Sequence, residues 1–163
     1  MKDVLCMYYS RTGNTRKAME EIASALGAEL VELTDGVDRS GWRGWLRSGM
    51  DAMKRTPPEP KPYRTRLPLS QYRLVILGTP VWAGRCSSVL RRFLRAQGEE
   101  LHTVAYVLTR GSENQSQEVF DQMDRYILRR HVAGVSLRQG SVGYDFWLEE
   151  FLRQVREVLE ETR

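Results

Sequence analysis

Between Ser10 and Thr15 the chain reads Ser-Arg-Thr-Gly-Asn-Thr. Three hydroxyls, an amide and one glycine fall within six positions. An apolar run ends just before this stretch and a helical pattern begins within it. A helix N-terminus offers backbone N–H groups that lack intrahelical partners, together with a partial positive charge. That combination binds anions. Gly13 lets the backbone turn tightly, and Ser10, Thr12, Asn14 and Thr15 add donors, so the stretch can wrap a phosphate without a lysine. It is not a P-loop, which needs a Gly-Lys-Ser/Thr ending, nor a dinucleotide fingerprint, which needs three spaced glycines. A terminal monophosphate suits it better than a pyrophosphate or triphosphate. The plain alternative is a capped helix start, for which Ser, Thr and Asn are also good residues. One cap needs one such residue, and here there are four.

Other chemistry-bearing residues form no comparable constellation. His102 and His131 lack the neighbours of a metal site or a catalytic triad. The spacing predicts Cys86 at the start of a helix, where the dipole would lower a thiol pKa, although a small packing residue is the simpler reading. Arg91, Arg92 and Arg95 fall on the predicted outer face of that helix. They read as a solvated face, with docking of an acidic partner or a nucleotide phosphate as the alternative.

The elements that must position the Ser10–Thr15 turn alternate along the chain. Strand patterns run over Lys2–Tyr9, Ala28–Leu33, Arg73–Thr79, Leu101–Leu108 and Val132–Leu137. Helical spacing runs over Asn14–Leu26, Ser40–Lys54, Cys86–Gln97, Asn114–Arg129 and Asp145–Glu160. Gly27 stops the first helix. "TPPEPKP", Thr56–Pro62, reads as an extended connector inside a long link from Thr34 to Tyr72. Five strands alternating with five helices imply a mostly parallel sheet covered on both faces. In such sheets ligands sit at the carboxyl ends of the strands where the strand order switches, which directs attention to the turns after the first, third and fourth strands.

The 163 residues suit one domain spanning 1–163. No run of about 18 apolar residues is present, so no membrane span is expected. The first residues read as a strand rather than a secretory leader, which points to a cytoplasmic location. Cys6 and Cys86 read as two reduced thiols. The formal charge is +4, and only Lys2, Lys17, Lys54 and Lys61 among the 25 basic residues are lysine. These charges are spread along the whole chain without a reading motif, so nucleic acid is not an expected partner.

"YYSRTGNT" resembles the phosphate-binding loop of flavodoxin-like proteins, which follows Ser/Thr-x-Thr-Gly-x-Thr. Ser10, Thr12, Gly13 and Thr15 match it, and the resemblance extends through "LGTPVWAGR" and the order of elements. It implies a flavodoxin-like three-layer α/β/α sandwich with a five-stranded parallel sheet of order 2-1-3-4-5, and flavin mononucleotide (FMN) as cofactor. Ser10, Arg11, Thr12, Gly13, Asn14 and Thr15 would hold its phosphate. Pro80, Val81, Trp82, Ala83 and Gly84 would contact the ring, with Trp82 in a loop as stacking partner. The Ala83–Gly84 peptide would reorient toward flavin N5. Thr109, Arg110, Gly111 and Ser112 would border the pyrimidine edge, with Arg110 favouring an anionic reduced ring. Electron-carrier flavodoxins place a tyrosine in this last loop, and this chain has none. One ring face is then open to a second substrate, or covered by the link carrying Trp42 and Trp45, or by a second subunit in a homodimer.

The resemblance implies an oxidoreductase that passes electrons from NAD(P)H or a protein donor to a quinone, flavin or similar acceptor, the flavin carrying the chemistry. A non-enzymatic electron carrier is the alternative, disfavoured by the basic charge and the missing tyrosine. An interaction module that has lost its flavin is a third.

Overall fold

The computed structural model describes residues 3–36, 41–53 and 61–162. Its first strand, β1 (Val4–Tyr8), is buried along its whole length. Alternation divides it between two cores. Val4, Cys6 and Tyr8 face one cluster, and Leu5, Met7 and the following Tyr9 face the other. A strand buried on both faces reads as an unbroken apolar run, as this one does.

Helix α1 (Asn14–Leu26) and the last helix, α5 (Tyr144–Glu161), cover the first face. Met19 and Ile22 of α1 meet Leu148, Phe151, Leu152 and Val155 of α5 in that core. Helices α3 (Ser88–Gln97) and α4 (Glu118–Ile127) cover the opposite face, where Val89, Leu90 and Phe93 meet Val119, Phe120, Met123 and Ile127. Each such side chain contributes about 1.5–3 kcal/mol by leaving water.

The remaining strands are β2 (Glu29–Glu32), β3 (Leu74–Trp82), β4 (Arg85–Cys86), β5 (Val104–Arg110) and β6 (Ala133–Arg138). The parallel sheet has the order β2-β1-β3-β5-β6, and the short β4 pairs antiparallel with β3. This is the expected five-strand order with one addition. The order reverses between β1 and β3, so their carboxyl ends open a crevice. Tyr8 is in register with Gly78, and the Tyr9 amide donates to the Gly78 carbonyl at 3.1 Å. Gly78 is there for space. A Cβ at that position would lie 2.6 Å from both Cγ and Sδ of Met19, so any side chain would have to displace the buried Met19 side chain of α1.

Four expectations are corrected. The third strand does not end at Thr79. It runs on to Trp82, turns at Ala83–Gly84 and returns as β4. Cys86 therefore lies in β4, and α3 starts two residues later with Ser87 as its N-cap, Oγ accepting from the Leu90 amide at 3.2 Å. The fourth helix starts at Glu118 rather than Asn114. The Asn114 side chain takes the Ser116 amide at 2.9 Å, and Ser116 itself has φ 57°, which a helix does not permit. Arg91 is not on a solvated face but is 4% exposed.

Helix α2 (Gly41–Met53) lies in the long link, against α3 and β3. Ser40 and Lys54, the ends expected for it, and Thr56–Pro60 of the proline-rich connector fall outside the described residues. Between positions 41 and 50, Gly44 and Ser48 are buried, while Trp42, Trp45, Leu46 and Met50 are exposed. These four side chains thus remain outside the two main cores.

Candidate functional site

A cavity of about 530 Å³ opens at the carboxyl ends of β1, β3 and β5. Its polar end is the turn after β1. Gly13 is the N-cap of α1 with φ 103°, a left-handed conformation suited to glycine. No side chain caps the helix and its first turn holds no acidic residue. Ser10 Oγ instead accepts from the Gly13 amide at 3.0 Å, bracing the turn from within. The capped-start alternative therefore does not describe this turn. The hydroxyls and amide are not spent on capping, and the first amides of α1 have no intrahelical acceptor. Ser10, Arg11, Thr12, Asn14 and Thr15 line the cavity.

Thr15 is 2% exposed, and its Oγ1 meets Thr109 Oγ1 at 2.6 Å. This contact joins the start of α1 to the end of β5. Arg110 follows, its Nε donating to Ser136 Oγ at 2.9 Å and its Nη1 to the Ser112 carbonyl. The guanidinium is thereby held by β6 and by its own loop. Thr109, Arg110 and Gly111 line the cavity, while Ser112 contributes the carbonyl that fixes Arg110.

The apolar wall comes from the β3–β4 hairpin and from α2. Pro80, Val81, Trp82 and Ala83 supply the first part. Trp82 sits in β3 rather than a loop, is 5% exposed and meets Tyr9 edge-on, with ring centroids 5.3 Å apart. Much of its indole is thus committed to the core. Ala83 and Gly84 have φ 49° and 72°, the two-residue turn of a tight hairpin. Gly84 does not line the cavity, and its carbonyl accepts from Gln122 Nε2 at 3.3 Å. Trp45, Leu46, Gly49 and Met50 of α2 complete the wall. Of these only Trp45 was anticipated, as part of a covering link, and Trp42 is not in the lining. The signal for Leu46 and Met50 was their helical spacing from Trp42 and Trp45.

The residues set aside from the sequence lie elsewhere. Cys86 is buried, and burial pushes its thiol up to about 12, the opposite of activation by a helix start. His131 Nδ1 and Asp124 Oδ2 are 2.8 Å apart, and the Tyr106 hydroxyl donates to Asp124 Oδ1 at 2.8 Å, a network next to the amino end of β6. Among the described residues no group of three or more His, Cys, Asp or Glu could hold a metal, and no helix is long and apolar enough to cross a membrane.

Neither a protein-family model nor a curated protein matches the chain. Solved structures do. A flavoprotein from Lactobacillus acidophilus NCFM, in complex with FMN, is 22% identical with TM-score 0.63, over 90% of this chain and 99% of that one. A WrbA-like flavodoxin protein from Agrobacterium tumefaciens is 14% identical with TM-score 0.63, over 100% of both chains. An oxidised flavodoxin from Bacillus cereus is 15% identical with TM-score 0.56, over 96% and 97%. At such identities the likeness is one of architecture, and the chain has the flavodoxin-like α/β fold.

Proposed function

We propose that the cavity holds FMN and that the protein is a flavin-dependent oxidoreductase. It would pass electrons from NAD(P)H or a protein donor to a quinone, flavin or similar acceptor. The observation that carries this reading is the continuity of one cavity from an uncapped helix start to an apolar wall. The phosphate end matches a terminal monophosphate in charge, and the wall matches the faces of a large aromatic ring. The volume lies within the range of cofactor sites. Similar folds include a protein solved with FMN.

The residues divide the work. Ser10, Thr12, Asn14 and Thr15, with the first amides of α1, hold the phosphate around the Gly13 turn. Pro80, Val81 and Ala83 border one side of the ring and Thr109–Gly111 the other. Trp45 and Met50 lie along the apolar wall and exclude water from it. Arg110, fixed by Ser136 and Ser112, keeps a positive charge at the cavity edge, where it favours anionic forms of the bound group. Bound FMN supplies hydride and electron transfer, and the protein supplies position and charge.

Titrating the cofactor-free protein with FMN and with riboflavin tests the binding. FMN is expected to bind at least tenfold more tightly, because only FMN engages the Ser10–Thr15 turn. No uptake of either flavin sinks the reading. Anaerobic mixing of the loaded protein with NADPH then tests the activity. Rapid loss of the flavin's visible absorption without an added reductase is expected, and loss only with a reductase makes the protein a carrier.

A further inference from the structure

A second recess, of about 370 Å³, lies on the other side of the β3–β4 hairpin and is lined by Arg85, Cys86, Arg91, Gln122, Arg125 and Tyr126. Three guanidinium-bearing residues from β4, α3 and α4 converge there with an amide and a phenol. Gln122, Arg125 and Tyr126 stand at helix positions i, i+3 and i+4, so α4 presents them on one face. Of the carboxylates on that helix, Asp121 stands four residues before Arg125, and Asp124 is engaged elsewhere. Its oxygens are taken by Tyr106 and His131. Cys86 adds no negative charge, since burial keeps its thiol protonated.

Arg91 is the most buried of the three. It is 4% exposed, and burial foremost lowers its guanidinium pKa, with Cys86 and Tyr126 acting against that shift and Arg85 and Arg95 adding to it. Arg85 and Arg125 stand beside it at exposed positions, so a dianion in the recess has guanidinium groups from three elements within its lining. Guanidinium forks match the oxygens of a phosphate group, and the amide of Gln122 and hydroxyl of Tyr126 extend the donor set.

We infer that this recess is a binding site for a phosphate monoester dianion. Its position makes a substrate-borne phosphoryl group the favoured source. Arg85 pairs with Trp82, which lines the larger cavity, and Gln122 holds the turn between them through Gly84. A nucleotide-type reducing substrate anchored by its phosphate in the recess needs to cross only this two-residue turn to reach the cavity. That assignment of the source rests on the proposed redox function; the anion site itself does not.

Calorimetric titration of the flavin-loaded protein with adenosine 2′-monophosphate, adenosine and inorganic phosphate tests the inference. The monophosphate is expected to bind at least tenfold more tightly than adenosine. Arg85→Gln and Arg125→Gln, both at exposed positions, are each expected to weaken it about tenfold, and Arg153→Gln, an exposed arginine of α5 on the other face of the sheet, is expected to leave it unchanged. The two recess variants guard against one of them failing to fold. Weaker binding of inorganic phosphate than of the nucleotide supports a substrate-borne group, and equal binding supports a free anion in the same site. Adenosine binding as tightly as its phosphate, wild-type affinity in both Arg85→Gln and Arg125→Gln, or an equal loss on Arg153→Gln overturns the inference. FMN uptake is read separately by its absorption, so failure of the redox reading does not mimic any of these outcomes.

Discussion

Thr15 Oγ1 and Thr109 Oγ1 lie 2.6 Å apart, buried, and 94 residues apart in the chain. One hydroxyl belongs to the turn that offers donors to an anion, the other to the loop that borders the far side of the cavity. Their hydrogen bond ties the first turn of α1 to the end of β5.

Thr109→Val keeps the shape of the side chain and removes its hydroxyl, which leaves Thr15 without this buried partner. A loss of about 1–3 kcal/mol of stability is expected. Thermal unfolding should fall by several degrees. The double variant Thr15→Val/Thr109→Val is expected to recover part of the loss, since neither hydroxyl is then stranded. A double variant as unstable as the sum of the two singles would show that the pair is not coupled.

Gly13→Ala meets no steric obstacle, because a Cβ there has nothing within 4 Å. The cost is in the backbone, held at φ 103°. About 1–2 kcal/mol of stability should be lost. If the turn holds a phosphate, affinity for FMN should fall more than affinity for riboflavin, and parallel fluorescence titrations of both flavins measure the difference.

Trp45 is 65% exposed, so replacing it should change stability by no more than about 0.5 kcal/mol. If its ring faces the flavin, Trp45→Ala should weaken FMN binding about tenfold, in keeping with the roughly 0.5–1.5 kcal/mol of an aromatic pair plus its lost area. Trp45→Phe should restore most of the affinity. An alanine variant that binds FMN as the wild type does would remove α2 from the site.

Burial raises the thiols of Cys6 and Cys86 from 9.0 to about 12. Between these values the unfolded chain has lost the protons that the folded chain keeps. The stabilising contribution is therefore complete below about pH 9 and declines as the pH rises toward 12, at about 1.4 kcal/mol per pH unit for each thiol. Urea midpoints at pH 8, 9 and 10 should fall, and Cys86→Ala should flatten the decline. A thiol reagent at pH 8 should react with neither cysteine until the protein unfolds.

Helix α1 was legible to the residue because its period is regular and glycines stand at both ends. The Ser10–Thr15 turn was legible for a related reason, since its residue types have few uses at a helix start. The hairpin was not. Asn-Gly or Asp-Gly would have announced it, whereas Ala-Gly puts an alanine where φ is positive, a cost of about 1–2 kcal/mol that tertiary pairing must offset. Arg91 misled in another way. Its position on the helix period looked outward, but α4 lies over it, and a long aliphatic stem can be buried while its head lines a polar recess. The cavity face of α2 was half legible. Its apolar stripe is plain in the residues, but what the stripe faces depends on where a long link is laid, which no local pattern specifies.

The order of the two residues in the Ala83–Gly84 turn has its own result. With φ positive at both, turning their shared peptide over would carry Ala83 into a region that only glycine enters freely. The expected pivot would therefore cost strain at Ala83 rather than at Gly84. A guest that changes shape beside so stiff a corner would find its accommodation across the cavity, where α2 supplies the facing wall.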